Sequence, residues 1–183
     1  MSGRLATVEL LSEGTLEHLA ESLVELDQFV VAEMAELFSS EPWLTRHFAM
    51  PLPDKWNLSC VATEGREVTA FVIGSRIAPD TGYIHRFVVA PAARSKGVGS
   101  KLLDFFHSKA GALGLNRIFL EVNRHNSGAV KFYRKNRYLA CDDEQIRNYL
   151  IMRDKLEEAK LGDSFYVEEG FPDEKCVMQR MIR

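Results

Sequence analysis

Apolar residues recur at strand and helix spacing from the first residues of the chain. The alternation in residues 6–11 predicts a first strand. Apolar residues every three or four positions then predict a helix over residues 16–40, with Thr15 as its N-cap and one break near Asp27. Residues 41–56 contain three of the six prolines, and we expect a loop with an aromatic-rich surface there.

Strand patterns follow in the middle of the chain. Residues 58–77 form a predicted hairpin that turns at Glu64-Gly65, and residues 82–91 form a further strand that Pro91 ends. A glycine-containing loop comes next, and the apolar spacing after it predicts a helix to about Gly111.

The last third begins with a short apolar strand over residues 116–122, after which Asn126 opens a helix. Asp142 and Gln145 form a capping-box pattern, so we prefer a helix over residues 142–161, although residues 148–156 could also form a strand. A terminal hairpin is predicted from residues 164–170 and 175–182. These elements predict one α/β (α+β) domain over residues 1–183, with an elaborated segment at about 142–174.

Composition narrows the function classes. The chain has 46% apolar residues, a net charge of −3 and a pI near 6.0, so we expect no nucleic-acid partner. No apolar run is long enough to span a bilayer, and the first residues lack a secretory signal pattern. Cys60, Cys141 and Cys176 are odd in number and have no metal-type spacing, which favours a reduced, metal-free, cytoplasmic protein.

The stretch "RSKGVGSKLL", residues 94–103, is typical of a phosphate-binding turn. Gly97 and Gly99 permit close backbone approach to an anion, and Arg94 and Lys96 supply positive charge at a helix N-terminus. The spacing fits neither a Walker loop nor the dinucleotide G-x-G-x-x-G pattern. A simple tight turn into a helix is the alternative interpretation.

Two longer motifs resemble the GNAT superfamily of N-acetyltransferases. "FVVAPAARSKGVGSKLL" is similar to its acetyl-CoA-binding motif, and "LEVNRHNSGAVKFYRKNRY" is similar to the segment that follows in that family. Together they cover about residues 83–138 in the family's order and spacing. The resemblance is nearest to the ribosomal-protein and N-terminal acetyltransferases. It implies the GNAT fold, which is a central mixed, mostly antiparallel sheet flanked by helices.

The resemblance also implies acetyl-CoA as co-substrate and a set of contacts to it. The loop after strand 84–90 would hold the diphosphate, the strand edge would pair with the pantetheine amides, and the next helix would pack on the pantetheine arm. The residues implied are Phe87, Val88, Val89, Arg94, Ser95, Lys96, Gly97, Val98, Gly99, Ser100, Asn126, Ala129, Phe132 and Tyr133. Asn126 could equally be an N-cap, and Ala129 and Phe132 could be core residues.

Two residues are candidates for the chemistry that the resemblance implies. Family members often place a tyrosine at the position of Tyr133 to protonate the departing CoA thiolate, and some relatives use the position of Glu121 as a general base. His85 or water could serve as the base instead. Tyr83 stands where other members carry a catalytic glutamate, so that version of the mechanism is missing here.

The expected acceptor is a primary amine on a peptide or a small molecule. An α-amine costs about 1 kcal/mol to deprotonate at pH 7, whereas a lysine side chain costs about 4.6 kcal/mol, so a modest base favours the α-amine. A lysine acetyltransferase, a CoA-binding module without catalysis and a structural protein are the alternatives. A homodimer is compatible with the sequence, and residues 42–56 could form its interface or line the acceptor cleft.

Two departures from the family pattern concern the segment after the tyrosine helix. Arg137-Tyr138 replaces the usual Gly-Phe, so a different turn is expected. The segment that leads to the last strand is longer than in compact members, and its stretch "RNYL" offers only Tyr149 where relatives often have a tyrosine pair.

Overall fold

The computed structural model describes residues 6–36, 40–159 and 175–182, and a mixed sheet runs through all three ranges. Its strands are β1 (Thr7–Leu10), β2 (Cys60–Glu64), β3 (Glu67–Ala78), β4 (Thr81–Val89), β5 (Arg117–Asn123), β6 (Leu139–Ala140) and β7 (Lys175–Met181). Their order in the sheet is β1-β2-β3-β4-β5-β7-β6, and only β4 and β5 pair in parallel. The predicted fold class, a mixed and mostly antiparallel sheet, is confirmed.

Helices cover both faces of this sheet. They are α1 (Glu13–Met34), α2 (Thr45–Phe48), α3 (Lys55–Leu58), α4 (Val98–Ala112), α5 (Ser127–Lys135) and α6 (Asp143–Ala159). Cys60 and Ala62 pack with α4 residues, whereas the intervening Val61 packs with α1 residues, as the alternation of a strand requires. On the face that α1 covers, α6 brings Tyr149 onto Phe119 of β5. None of the described helices is long and apolar enough to cross a membrane.

Helix α1 differs from the prediction at three points. It ends at Met34 with Ala35 as its C-cap, whereas the prediction extended it to residue 40. Ser12 is its N-cap, and Thr15 is the partner residue of the capping box, with the Ser12 N–H donating to the Thr15 hydroxyl at 2.7 Å. The helix also continues through Asp27, where a break was predicted. Asp27 is fully buried and its carboxylate is bound by groups from outside the helix, so the charge on the apolar face does not interrupt the helix.

The prediction of a loop at residues 41–56 is confirmed for residues 41–44 and 49–54, but the prediction that its aromatic residues form a surface was wrong. The segment also contains α2 and the start of α3, and Phe48 is fully buried against Phe71 at a ring distance of 5.3 Å. Trp43 and Trp56 pack partly buried against the same core. The aromatic residues are therefore part of the packing between this segment and the sheet.

The turn after α5 keeps the geometry that a glycine would normally provide. Arg137 has a φ of +66°, the Tyr138 N–H donates to the Tyr133 carbonyl at 3.0 Å, and the Arg137 N–H donates to the Arg134 carbonyl. These are the two hydrogen bonds of a Schellman motif. The expectation of a different turn was wrong, because arginine occupies the left-handed position without changing the motif.

The helical alternative for the segment after β6 is confirmed. Helix α6 begins after Asp142, whose N–H donates to the Gln145 side chain at 3.0 Å while the Gln145 N–H donates back to the carboxylate at 2.9 Å. Strand β7 is the second half of the predicted terminal hairpin. Its first half, residues 164–170, lies outside the described residues.

Candidate functional site

Strands β4 and β5 separate in the middle of the sheet. Their parallel pairing runs from Thr81 opposite Arg117 to Ile84 opposite Leu120 and ends there, although β4 continues to Val89. The register between β3 and β4 shifts at this level, because Ile84 pairs with Gly74 and Arg86 pairs with the preceding Ile73. His85 is therefore the extra residue of a bulge, which bends β4 away from its neighbour.

A cleft of about 790 Å³ opens where the two strands diverge. Strands β4 and β5 form its base, α5 and the loop before α4 form one side, and the C-terminal turn of α1 contributes to the other. Its lining residues are Val30, Val31, Met34, Ser40, Tyr83, Ile84, His85, Arg86, Phe87, Val88, Val89, Ala93, Arg94, Ser95, Gly97, Gly99, Ser100, Leu120, Glu121, Val122, Asn123, Asn126, Gly128, Ala129, Phe132, Tyr133, Lys135 and Lys175.

The loop before α4 has the backbone shape of an anion-binding turn. Ser95 and Gly97 adopt left-handed conformations with φ of +62° and +81°, and α4 begins at Val98 without a side-chain cap. The first N–H groups of a helix have no acceptor within it, so those of Val98, Gly99 and Ser100 are available to an anion at this end of the cleft. A Cβ atom on Gly99 would approach the Val89 side chain to 3.2 Å, which explains glycine at that position.

Arg94 lies beside the same loop and is held by two elements. Its Nε donates to the Val89 carbonyl at 3.2 Å, and its two terminal nitrogens donate to both carboxylate oxygens of Glu33 on α1, at 3.0 and 2.6 Å. About a third of each side chain in this pair is exposed. The guanidinium is thus oriented at the end of the cleft beside the N-terminus of α4 by a partner that the sequence did not reveal.

Helix α5 lines the cleft along its first two turns. The Asn126 carboxamide oxygen caps the helix by accepting from the Ala129 N–H at 3.0 Å. Phe132 stacks on Phe87 of β4 with ring centroids 5.5 Å apart, so β4 and α5 share one apolar wall of the cleft. The cap uses the carboxamide oxygen of Asn126, and the residue also lines the cleft.

Tyr133 lies on this helix with only 7% of its surface exposed. Its ring contacts Phe87, Phe132 and Tyr138 at centroid distances of 6.1, 5.4 and 5.6 Å. Burial raises the pKa of Tyr133 above the 10.0 of a free tyrosine. The phenol therefore keeps its proton at neutral pH and can act as a donor in the cleft.

Glu121 lies on β5 immediately after Leu120, the last residue of β5 that pairs with β4, and it lines the cleft. Its Oε1 accepts from the Tyr149 hydroxyl at 2.6 Å and from Arg153 Nη1 at 3.2 Å, and its Oε2 lies 3.4 Å from Lys175 Nζ. Two cations and a phenol thus surround the carboxylate.

His85 is the rival polar group on β4. Its Nε2 lies 2.7 Å from the hydroxyl of the fully buried Ser75, and its ring meets Tyr83 edge to face at 4.7 Å. The imidazole is thereby anchored to β3 on the same face as the cleft.

Most of the predicted site residues meet in this cleft, but two do not line it. Val98 is buried in the core, and Lys96 is exposed on the loop. The structure brings Glu121 and Tyr133 to the same cleft as the turn at Ser95–Ser100, while their chemical roles stay predictions.

The sequence did not reveal the hydrogen bonds to Glu121 and Arg94 from residues far away along the chain. Tyr149 and Arg153 reach Glu121 across 28 and 32 residues, and Glu33 reaches Arg94 across 61 residues. The one local signal was the spacing of Tyr149 and Arg153, which places both side chains on one face of a helix.

Comparison with known proteins matches this geometry. The model of the acetyltransferase (GNAT) family matches residues 25–137. A sequence search of curated proteins finds no match.

Three solved structures illustrate the similarity of the fold. Ard1 from Thermoplasma volcanium is 21% identical with a TM-score of 0.69, covering 97% of this chain and 98% of its own. The ribosomal-protein-S18-alanine N-acetyltransferase from Escherichia coli is 17% identical with a TM-score of 0.65, covering 97% and 94%. PaiA N-acetyltransferase from Thermoplasma acidophilum, in complex with coenzyme A, is 17% identical with a TM-score of 0.62, covering 97% and 99%.

Proposed function

Because the chain belongs to the acetyltransferase (GNAT) family and is therefore an acetyl-CoA-dependent acyltransferase, we propose that it acetylates the α-amine of a peptide or a small weakly basic amine. The observation that carries the proposal is the cleft between β4 and β5. An uncapped helix N-terminus lies at one end of this cleft. A carboxylate, Glu121, and a protonated phenol, Tyr133, both line it.

The residues present fit acetyl-CoA in this cleft. The N–H groups at the start of α4 and the guanidinium of Arg94 suit a diphosphate, the unpaired part of β4 suits the amides of a pantetheine arm, and Phe87 with Phe132 offers apolar contact. When bound, acetyl-CoA would supply the activated acyl group as a thioester.

The two candidate catalytic residues then divide the proton transfers. The Glu121 carboxylate takes one proton from the ammonium form of the acceptor, which yields the neutral amine. As the C–N bond forms and the C–S bond breaks, the Tyr133 hydroxyl donates its proton to the departing thiolate, and the second amine proton restores the phenol. Deprotonating an α-amine at pH 7 costs only about 1 kcal/mol, against about 4.6 kcal/mol for a lysine side chain, so a modest base favours the α-amine.

The proposed preference for an α-amine and the proposed cytoplasmic location have separate grounds. The preference for an α-amine follows from the use of a carboxylate, Glu121, as the base. The location rests on the composition and on Cys60, Cys141 and Cys176, which are all free thiols in the structure.

The test uses the full chain with acetyl-CoA and a panel of acceptors. Calorimetry is expected to show acetyl-CoA binding, and a thiol reagent should detect CoA release at least tenfold faster with a free-N-terminus peptide than with an N-blocked peptide containing lysine. No association at millimolar acetyl-CoA would overturn the function itself. Binding without CoA release would favour a CoA-binding module, and faster release with the lysine peptide would favour a lysine acetyltransferase.

A further inference from the structure

Helix α6 contacts the cleft through the carboxylate of Glu121. Tyr149 is fully buried, packs on Phe119 at 5.3 Å and lies 5.6 Å from Tyr83, so its ring has a fixed place against the sheet. From that place its hydroxyl reaches Glu121 Oε1 at 2.6 Å. A short hydrogen bond from a phenol to a carboxylate is among the stronger polar contacts in a protein.

The protonation state of Tyr149 fixes the direction of this bond. Burial, together with the neighbouring Tyr83 and Glu121, raises the pKa of Tyr149 well above the 10.0 of a free tyrosine. The hydroxyl therefore keeps its proton at any working pH and is the donor, while Oε1 is the acceptor.

Arg153 donates a second hydrogen bond to the same oxygen of Glu121. It lies one helical turn after Tyr149, stands over that ring at 5.9 Å and donates to Oε1 at 3.2 Å. Its Nε also lies 3.6 Å from the exposed carboxylate of Asp154.

The two oxygens of Glu121 thus have different surroundings. Oε1 is bound by two groups of α6, whereas the neighbour of Oε2 is Lys175, which itself lines the cleft. Oε1 thus accepts from two donors, whereas the ion pair of Oε2 with Lys175 is longer, so Oε2 is the less occupied oxygen of the carboxylate.

We propose that Tyr149 and Arg153 are positioning residues, which hold Glu121 through Oε1 so that Oε2 accepts the proton of the acceptor amine. The inference rests on the proposed function, because it needs Glu121 to act as the base. It gives α6, which lies in the elaborated segment, a part in catalysis.

A double-mutant cycle in the full chain tests the proposal. Glu121→Gln, Tyr149→Phe and the double variant are compared for kcat with the peptide acceptor, for acetyl-CoA affinity by calorimetry and for Tm. We expect kcat to fall about 100-fold in Glu121→Gln and about tenfold in Tyr149→Phe, with acetyl-CoA affinity within threefold of the wild type. The double variant should be within twofold of Glu121→Gln alone, since Tyr149 acts through that carboxylate.

Arg153→Gln keeps the test independent of the buried tyrosine, because Arg153 is partly exposed and its loss should leave the fold intact. It is expected to lower kcat three- to fivefold, whereas Arg147→Gln, on an exposed position of the same helix, should leave kcat unchanged. The proposal is overturned if the double variant loses a further tenfold beyond Glu121→Gln, or if Tyr149→Phe and Arg153→Gln both turn over at the wild-type rate. A wild-type kcat in Glu121→Gln would overturn both the role of Glu121 as the base and this inference, but not acetyl transfer. If the wild type released no CoA, acetyl transfer, the base and the positioning role would all be overturned.

Discussion

Arg86 on β4 donates two hydrogen bonds to Asp27 on α1, from Nε to Oδ1 at 2.6 Å and from Nη2 to Oδ2 at 2.8 Å. Oδ2 also accepts from the Trp43 N–H at 2.7 Å. The carboxylate is fully buried, while the guanidinium lines the cleft just after the bulge at His85. One buried carboxylate therefore joins helix α1, the start of the segment that contains α2, and the strand that forms the base of the cleft.

Replacing Asp27 by alanine should destabilise the fold more than the loss of any surface ion pair. The substitution leaves a mostly buried guanidinium and the Trp43 N–H without their acceptor, and removing one partner of such a pair costs roughly 3 kcal/mol. Urea unfolding of Asp27→Ala should show this loss of free energy of unfolding.

The matched comparison is Glu33→Gln, which breaks an ion pair of similar geometry whose side chains are about one third exposed. Its cost should stay below about 1 kcal/mol. Equal losses of free energy of unfolding in Asp27→Ala and Glu33→Gln would mean that burial does not make the first ion pair more important for stability than the second.

Arg137 offers a stabilising substitution. The residue stands at φ +66°, in the position of a Schellman motif that normally holds glycine, and an L-residue there carries strain. Arg137→Gly should raise the free energy of unfolding by roughly 0.5 to 1 kcal/mol, after allowing for the greater freedom of glycine in the unfolded chain. The control is Arg134→Gly within α5, which should lower it. A loss of stability in both variants would contradict the assigned strain.

The sequence was a good guide to contacts close along the chain and a poor one to contacts far apart. The capping box at Asp142 and Gln145 and the cap at Asn126 were predicted because each depends on residues three positions apart. The sequence predicts a helix break near Asp27 that the structure does not show, because the partner of Asp27, Arg86, lies 59 residues away. Ionic and hydrogen-bonded partners across the sheet leave no periodic trace in a sequence, so they require the structure.

His107 makes the stability of the fold dependent on pH. Arg180 Nη1 lies 2.8 Å from its Nδ1 and can only donate, so Nδ1 is the acceptor and Nε2 carries the proton toward the Tyr138 hydroxyl, also at 2.8 Å. Burial, with the nearby charge of Arg180, lowers the pKa of His107 from 6.5 to about 3. Between these values the unfolded chain binds a proton at His107 that the folded chain does not.

Stability from this group is therefore complete above pH 6.5 and declines as the pH falls toward 3, by at most about 1.4 kcal/mol per pH unit. His107→Gln should unfold with a shallower dependence on pH between 6.5 and 4, in urea titrations at several pH values. The readout is the slope, since the substitution also alters packing. His125→Gln, on an exposed residue, is the control, and an unchanged slope in His107→Gln would exclude this histidine as its source.

Tyr133 should affect turnover and leave cofactor affinity nearly unchanged. Its ring packs on Phe87 and Phe132, and phenylalanine would keep those contacts while removing the protonated hydroxyl from the cleft. We expect Tyr133→Phe to lower kcat at least tenfold, with acetyl-CoA affinity within a few-fold of the wild type. Tyr138→Phe is the matched control, because that buried hydroxyl binds His107, and it should turn over at the wild-type rate. Unchanged kcat in Tyr133→Phe would show that the departing thiolate takes its proton from another group, and a large loss of acetyl-CoA affinity would make the hydroxyl a binding contact.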